Sequence, residues 1–154
     1  MATTQFHLVT NWTFGAAPVV VWAALSVPEE WPTWWRAVKC VEILEPGDAT
    51  GIGTLRRFTW RRALLYTITI EMRTLRIEPL ALIEGQADGE LTGTGTWTLS
   101  ASNGGTQVCH DWIVDVTKPW MRLCAPLLRP VFAWNHRRVM QWGYDGLKRK
   151  LGEP

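Results

Sequence analysis

The sequence predicts an α+β domain in which one long C-terminal helix covers an antiparallel sheet. Three observations predict it. From residue 40 to 117 apolar and polar side chains alternate with strand spacing. Pro46-Gly47-Asp48, Asp88-Gly89 and Asn103-Gly104-Gly105 cut that region into hairpins joined by short turns. After Lys118 the apolar spacing becomes helical and stays so to Leu151.

The elements follow in order. Phe6, Leu8, Trp12 and Phe14 alternate with His7, Asn11 and Thr13, which predicts a first strand. Pro18 opens a short apolar helix, VVVWAAL, that ends near Ser26. Ser26-Val27-Pro28-Glu29 reads as a capping box for a second short helix, which Pro32 ends or kinks. Strands are expected at 40–45, 55–61, 65–77, 80–87 and 91–100, with a sixth around 107–117. Tyr66, Ile68, Ile70 and Met72 share one face of their strand. Leu91, Gly93, Gly95, Trp97 and Leu99 share a face of the next-to-last strand, opposite a row of threonines. In the last strand Val108, His110, Trp112, Val114 and Val116 face in, and Gln107, Asp111, Asp115 and Thr117 face out. Pro119, Pro126 and Pro130 keep 119–130 short and broken. From about residue 130 to 151 the stripe Phe132, Asn135, Val139, Gly143 and Gly146 predicts the closing helix. An antiparallel sheet usually buries one face, and this helix is its natural cover.

Composition narrows the function classes. A chain of 154 residues fits one domain spanning 1–154. Apolar residues at 47% and charged residues at 19% supply a packed core and exclude general disorder. A net charge of +2 gives no strong reason to expect nucleic acid or an anionic membrane as partner. Cys40, Cys109 and Cys124 form no CxxC pair, and the odd count points to reduced thiols in a cytoplasmic protein. The N-terminus shows no signal-peptide pattern, and the longest apolar run, 16–27, is too short to span a membrane. The unusual feature is 11 tryptophans against 2 tyrosines and 4 phenylalanines; indoles suit cores, pocket walls and interfaces alike.

Local sequence then carries a resemblance over nearly the whole chain. Val21-Trp22-Ala23-Ala24-Leu25, Pro28-Glu29-Glu30-Trp31-Pro32, Gly51-Ile52-Gly53, Glu90-Leu91-Thr92-Gly93-Thr94-Gly95 and Trp134-Asn135-His136 with Met140, Gly143, Gly146 and Leu147 are its motifs. In this order they resemble the helix-grip superfamily of START domains, birch-pollen-type allergens and polyketide cyclases/dehydrases. The polyketide cyclase-like branch is the most similar. The resemblance implies a β-α-α-β6-α order. It also implies a curved sheet of about seven strands wrapped around the C-terminal helix, with a cavity between them.

Within that frame the candidate site residues are Trp35, Tyr66, Ile68, Trp97, His110, Trp112, Asn135 and Val139. Trp97, His110 and Trp112 lie on the inward face of two hairpin strands, where cross-strand neighbours touch. They form either a pocket wall, with the imidazole orienting a ligand oxygen, or core packing around a hydrogen-bonded histidine. Asn135 interrupts an apolar stripe; its amide aims at a ligand or bonds to the protein. His136, one position round, is expected at the cavity edge or on the surface. Trp31, Trp34 and Trp35 follow the kinked helix near the expected pocket mouth; at least one is expected to pack in the core, Trp35 to line the entrance, and an exposed indole would be open to a partner. Gly93, Gly95, Gly143 and Gly146 are read as points where helix and sheet approach closely. Glu84 is expected in solvent, and Arg56, Arg57, Arg61 and Arg62 form a basic hairpin tip.

No conventional catalytic signature is present. There is no GxSxG elbow, and the only serines, Ser26, Ser100 and Ser102, sit at caps and turns. His7, His110 and His136 lack metal-ligand spacing, no phosphate loop is visible, and neither metal nor cofactor is expected. The expected function is binding of a small hydrophobic ligand, aromatic, polycyclic or lipid-like. The alternatives are a cyclase or dehydratase with His110 as acid/base, and a protein-interaction module built on exposed tryptophans.

Overall fold

The computed structural model describes residues 5–61 and 67–154. Among them, seven strands form one antiparallel sheet in the spatial order β1-β7-β6-β5-β4-β3-β2. The strands are β1 Gln5–Phe14, β2 Val38–Glu45, β3 Leu55–Arg61, β4 Thr67–Glu78, β5 Leu82–Gly89, β6 Leu91–Ser102 and β7 Gly105–Val116. Between β1 and β2 come helix α1, Pro18–Leu25, and a 3-10 turn, Pro28–Thr33. They carry the chain from one edge of the sheet to the other. After β7 come a short helix α2, Pro119–Leu123, and the long helix α3, Ala125–Lys150.

Register bends the sheet. Pairing slips between Val38 and Cys40, between Ile43 and Glu45, and between Thr74 and Arg76. An extra residue on one strand bends it and increases its twist. The outcome is an open, curved sheet with α3 in its concave side, as the family resemblance implies. Two bonds fix the helix there. Tyr144 donates its hydroxyl to the Thr13 carbonyl at 2.8 Å, and Trp35 Nε1 donates to the Val139 carbonyl at 2.9 Å.

The core is rich in aromatic rings. Trp12, Phe14, Trp31, Trp34, Trp35 and Trp97 pack with Leu25, Phe58 and Leu147 in one cluster. Phe6, Val114, Val116 and Met121 form a second, smaller one. Trp35 is 1% exposed and touches the rings of Trp12, Trp31, Trp34, Trp60 and Trp97 at centroid distances of 5.1 to 6.0 Å.

Several sequence expectations need correction. Ser26 is not part of a capping box. It terminates α1, Val27 precedes the 3-10 turn without a side-chain cap, and the Glu29 carboxylate instead takes the Arg56 guanidinium at 3.1 and 3.3 Å. The closing helix starts at Ala125, not near residue 130. Pro126 sits in its first turn, where no donor is needed, and Pro130 removes only one early hydrogen bond. Trp35 is not at an entrance, and Trp31 and Trp34 are also buried, because the 3-10 turn folds all three indoles under α3. Gly143 and Gly146 do make room for a close approach, but to Trp34 and Trp35 rather than to the sheet. Arg56 and Arg57 lie at the end of β3 away from its hairpin tip, paired with Glu29 and with Glu71; Arg62 falls outside the described residues. Glu84 lies, as expected, on the face of β5 opposite Ile83 and away from the concave side, but half-buried rather than fully in solvent.

Candidate functional site

A cavity of about 270 Å³ opens between the concave face of the sheet and α3, bounded by both core clusters. Strand alternation decides which side chains reach it. On β4 Ile68, Ile70 and Met72 point inward, on β6 Gly95 and Trp97, and on β7 His110, Trp112 and Val114. Helix α3 contributes Phe132, Asn135, His136, Val139 and Met140.

Of the eight residues singled out from sequence, the structure brings seven to this wall: Trp35, Ile68, Trp97, His110, Trp112, Asn135 and Val139. Tyr66 lies outside the described residues. Trp35 forms the inner wall rather than the mouth, since it is almost wholly buried.

The polar centre of the wall is His110. In the hairpin register Trp97 faces His110 and Gly95 faces Trp112. The His110 ring therefore lies between two indoles, 4.2 Å from Trp97 and 5.9 Å from Trp112. Gly95 makes this possible: a Cβ there would fall 2.8 Å from the Trp112 ring. From α3, His136 presents its ring nearly parallel to His110, at 6.3 Å and 14°.

Of the two positions expected for His136, cavity edge or surface, the structure places it on the cavity wall. At about 100° per residue it falls roughly 40° from Phe132 and 20° from Gly143, so the cavity-facing arc of α3 takes in His136 as well as Asn135, Val139 and Met140. That spacing is visible in the sequence; the polarity of histidine hides it.

Electrostatics keep both rings neutral. Burial, helped by the neighbouring His136, depresses the His110 pKa from 6.5 to about 3. Burial alone depresses that of His136 from 6.5 to about 4. His110 Nδ1 and His136 Nε2 are buried without a hydrogen-bond partner among the described residues, as is Nε1 of Trp31, another wall residue. A buried polar atom without a partner costs roughly 1–3 kcal/mol, so these atoms mark where a ligand's polar group would be stabilised. Arg56, a cation on the same wall, is already held by Glu29 and Thr74. No group of three or more metal-ligating side chains occurs among the described residues. No helix among them is long and apolar enough to cross a membrane.

Residues 5–152 match the profile of a family described as polyketide cyclase/dehydrase and lipid transport. No curated protein sequence matches the chain. Solved structures share the fold. A Thermus thermophilus protein, TTHA0849, superposes with a TM-score of 0.75 at 16% identity, over 94% of this chain and 99% of that one. The Zhui aromatase/cyclase of a Streptomyces species, strain R1128, gives 0.60 at 17% identity, over 90% and 93%. A Rhodobacter sphaeroides protein gives 0.63 at 25% identity, over 95% and 91%.

Proposed function

Because the chain belongs to the polyketide cyclase/dehydrase and lipid transport family, we propose that its cavity binds one small, largely apolar, oxygen-bearing molecule, with aromatic ligands favoured. One observation carries this reading: two neutral imidazoles lie side by side, 6.3 Å apart, on the wall of an indole-lined cavity, each with an unpartnered ring nitrogen. The indoles of Trp97 and Trp112 and the side chains of Ile68 and Val139 supply dispersion and apolar burial. His110 and His136, with Asn135 beside them, orient the oxygen. The volume of about 270 Å³ lies near the lower end of ligand pockets, roughly 300–1,000 Å³, and so favours a compact ligand. A cytoplasmic location, expected from the three unpaired thiols, is part of the same proposal.

A second reading is a cyclase or dehydratase using the same cavity. The adjacent imidazoles favour it, and one fold neighbour is named an aromatase/cyclase. Their pKa values weigh against proton transfer: groups titrating at about 3 and 4 are weak bases and almost never protonated near neutral pH. Hydrogen bonding to a ligand oxygen needs only the neutral ring. A binder returns its ligand unchanged, whereas an enzyme converts it.

The test compares 1-naphthol with naphthalene, which differ by one hydroxyl. Wild-type protein is expected to prefer naphthol by about tenfold, the value of one hydrogen bond that satisfies a buried group. His110→Phe should erase most of that preference. At neutral pH it should leave unfolding stability unchanged or raised, because it removes a buried atom without a partner. Equal preference in wild type and variant, measured by titration, contradicts the assigned role of His110.

A further inference from the structure

We propose that the outward side of α2 and of the first half of α3 seats the protein on an anionic lipid surface. The stripe is apolar where a solvent-facing helix is ordinarily polar. Leu123 is 84% exposed, Leu127 82%, Trp120 57%, Trp134 45% and Val131 39%. At about 100° per residue, Leu127, Val131 and Trp134 fall within an arc of about 60°, on the side of α3 opposite the cavity. Solvent does not explain such a patch on a helix whose other face is already packed.

Charge selects the occupant. Residues 116–144 contain no aspartate or glutamate, but hold Lys118, Arg122, Arg129, Arg137 and Arg138. Lys118 pairs with Glu90 at 2.8 Å, and the Arg129 guanidinium lies 4.7 Å from the Phe6 ring centre. Arg122, Arg137 and Arg138 are exposed and make no ion pair among the described residues. Arg138 lies within the arc of the apolar stripe itself, and Arg137 beside it. Exposed leucines with indoles at both ends and unbalanced cations match the chemistry of a helix lying in an anionic bilayer interface. An acidic protein surface would match the cations, but not two leucines left more than 80% in water. No helix among the described residues can cross the bilayer, so the contact is peripheral.

The position gives the contact a use. Met121 and Phe132 lie on the inner sides of the same two helices and line the cavity. A bilayer on the outer side would therefore lie about 10 Å, one helix diameter, from the cavity wall. Such a contact would form whichever ligand the cavity takes.

Flotation with vesicles tests it, using equal parts phosphatidylglycerol and phosphatidylcholine against phosphatidylcholine alone. The protein is expected to float with the anionic vesicles only, and high salt should weaken the association. Arg137→Gln with Arg138→Gln should weaken it by about 30-fold. Leu123→Ser with Leu127→Ser should weaken it by at least about tenfold. Neither pair should move thermal unfolding, since all four side chains are exposed. No flotation with anionic vesicles overturns the proposal. So does flotation that the leucine pair leaves unchanged, which would be adsorption by charge alone. Stripe-dependent self-association or protein capture without lipid binding overturns it as well.

Discussion

Gly146→Ala is expected to leave the protein largely unfolded under mild conditions. In an unconstrained helix the change would stabilise by up to about 1 kcal/mol, because alanine is the better helix former. Here a Cβ would lie 1.7 Å from the Trp34 carbonyl oxygen and 2.9 Å from its carbon. Those are backbone atoms of the buried turn that holds three indoles, so no rotamer change relieves the clash. Helix and turn must separate, which removes packing around Trp34 and Trp35. Loss of at least about 4 kcal/mol follows, beyond ordinary overpacking. Gly143→Ala meets a side chain instead, with Trp35 Cε2 at 2.5 Å. It should cost less, about 2–3 kcal/mol, since a side chain rather than the backbone has to move. Urea unfolding at neutral pH gives both values, and a Gly146→Ala variant as stable as wild type contradicts the close approach.

The second large effect is acid lability. The unfolded chain binds protons on His110 and His136 near pH 6.5, whereas the folded protein resists them down to about 3 and 4. Between those limits the unfolded state holds more protons, so stability rises with pH. The contribution is fully present above about pH 6.5 and is lost as the pH falls toward 4. Each histidine changes stability by about 1.4 kcal/mol per pH unit within the window. By pH 5 the two together remove about 4 kcal/mol, a large share of a typical domain's stability. His110→Gln with His136→Gln should flatten the profile between pH 7 and 5. Unfolding curves across this range test it; an unchanged slope in the double variant would mean that other groups carry the acid response.

The sheet was legible because its signals are local. Asn103-Gly104-Gly105 sets the β6–β7 turn, and alternation then places Trp97 beside His110 in the register observed. The cavity itself came from family resemblance, since periodicity reports which face is buried but not how completely the space behind it is filled. Sequence puts Trp35 at the mouth because it shows three indoles near a kink; the turn that buries all of them depends on long-range packing against Gly143 and Gly146. The start of α3 is obscured by Pro126 and Pro130, both tolerated within its first two turns. The net charge of +2 conceals the basic, acid-free stretch at 116–144, because acidic residues elsewhere in the chain balance it. Exposure of Leu123 and Leu127 emerges only once the inward face of α3 is known.

The central claim is that the space between sheet and helix admits a small apolar molecule. Calorimetric titration of the wild-type protein with 1-naphthol at two temperatures tests it most directly. Saturable binding of one equivalent with a negative heat-capacity change is predicted, and Ile68→Trp, which fills the cavity, should abolish it. No saturable heat, or binding that survives in Ile68→Trp, would contradict the account.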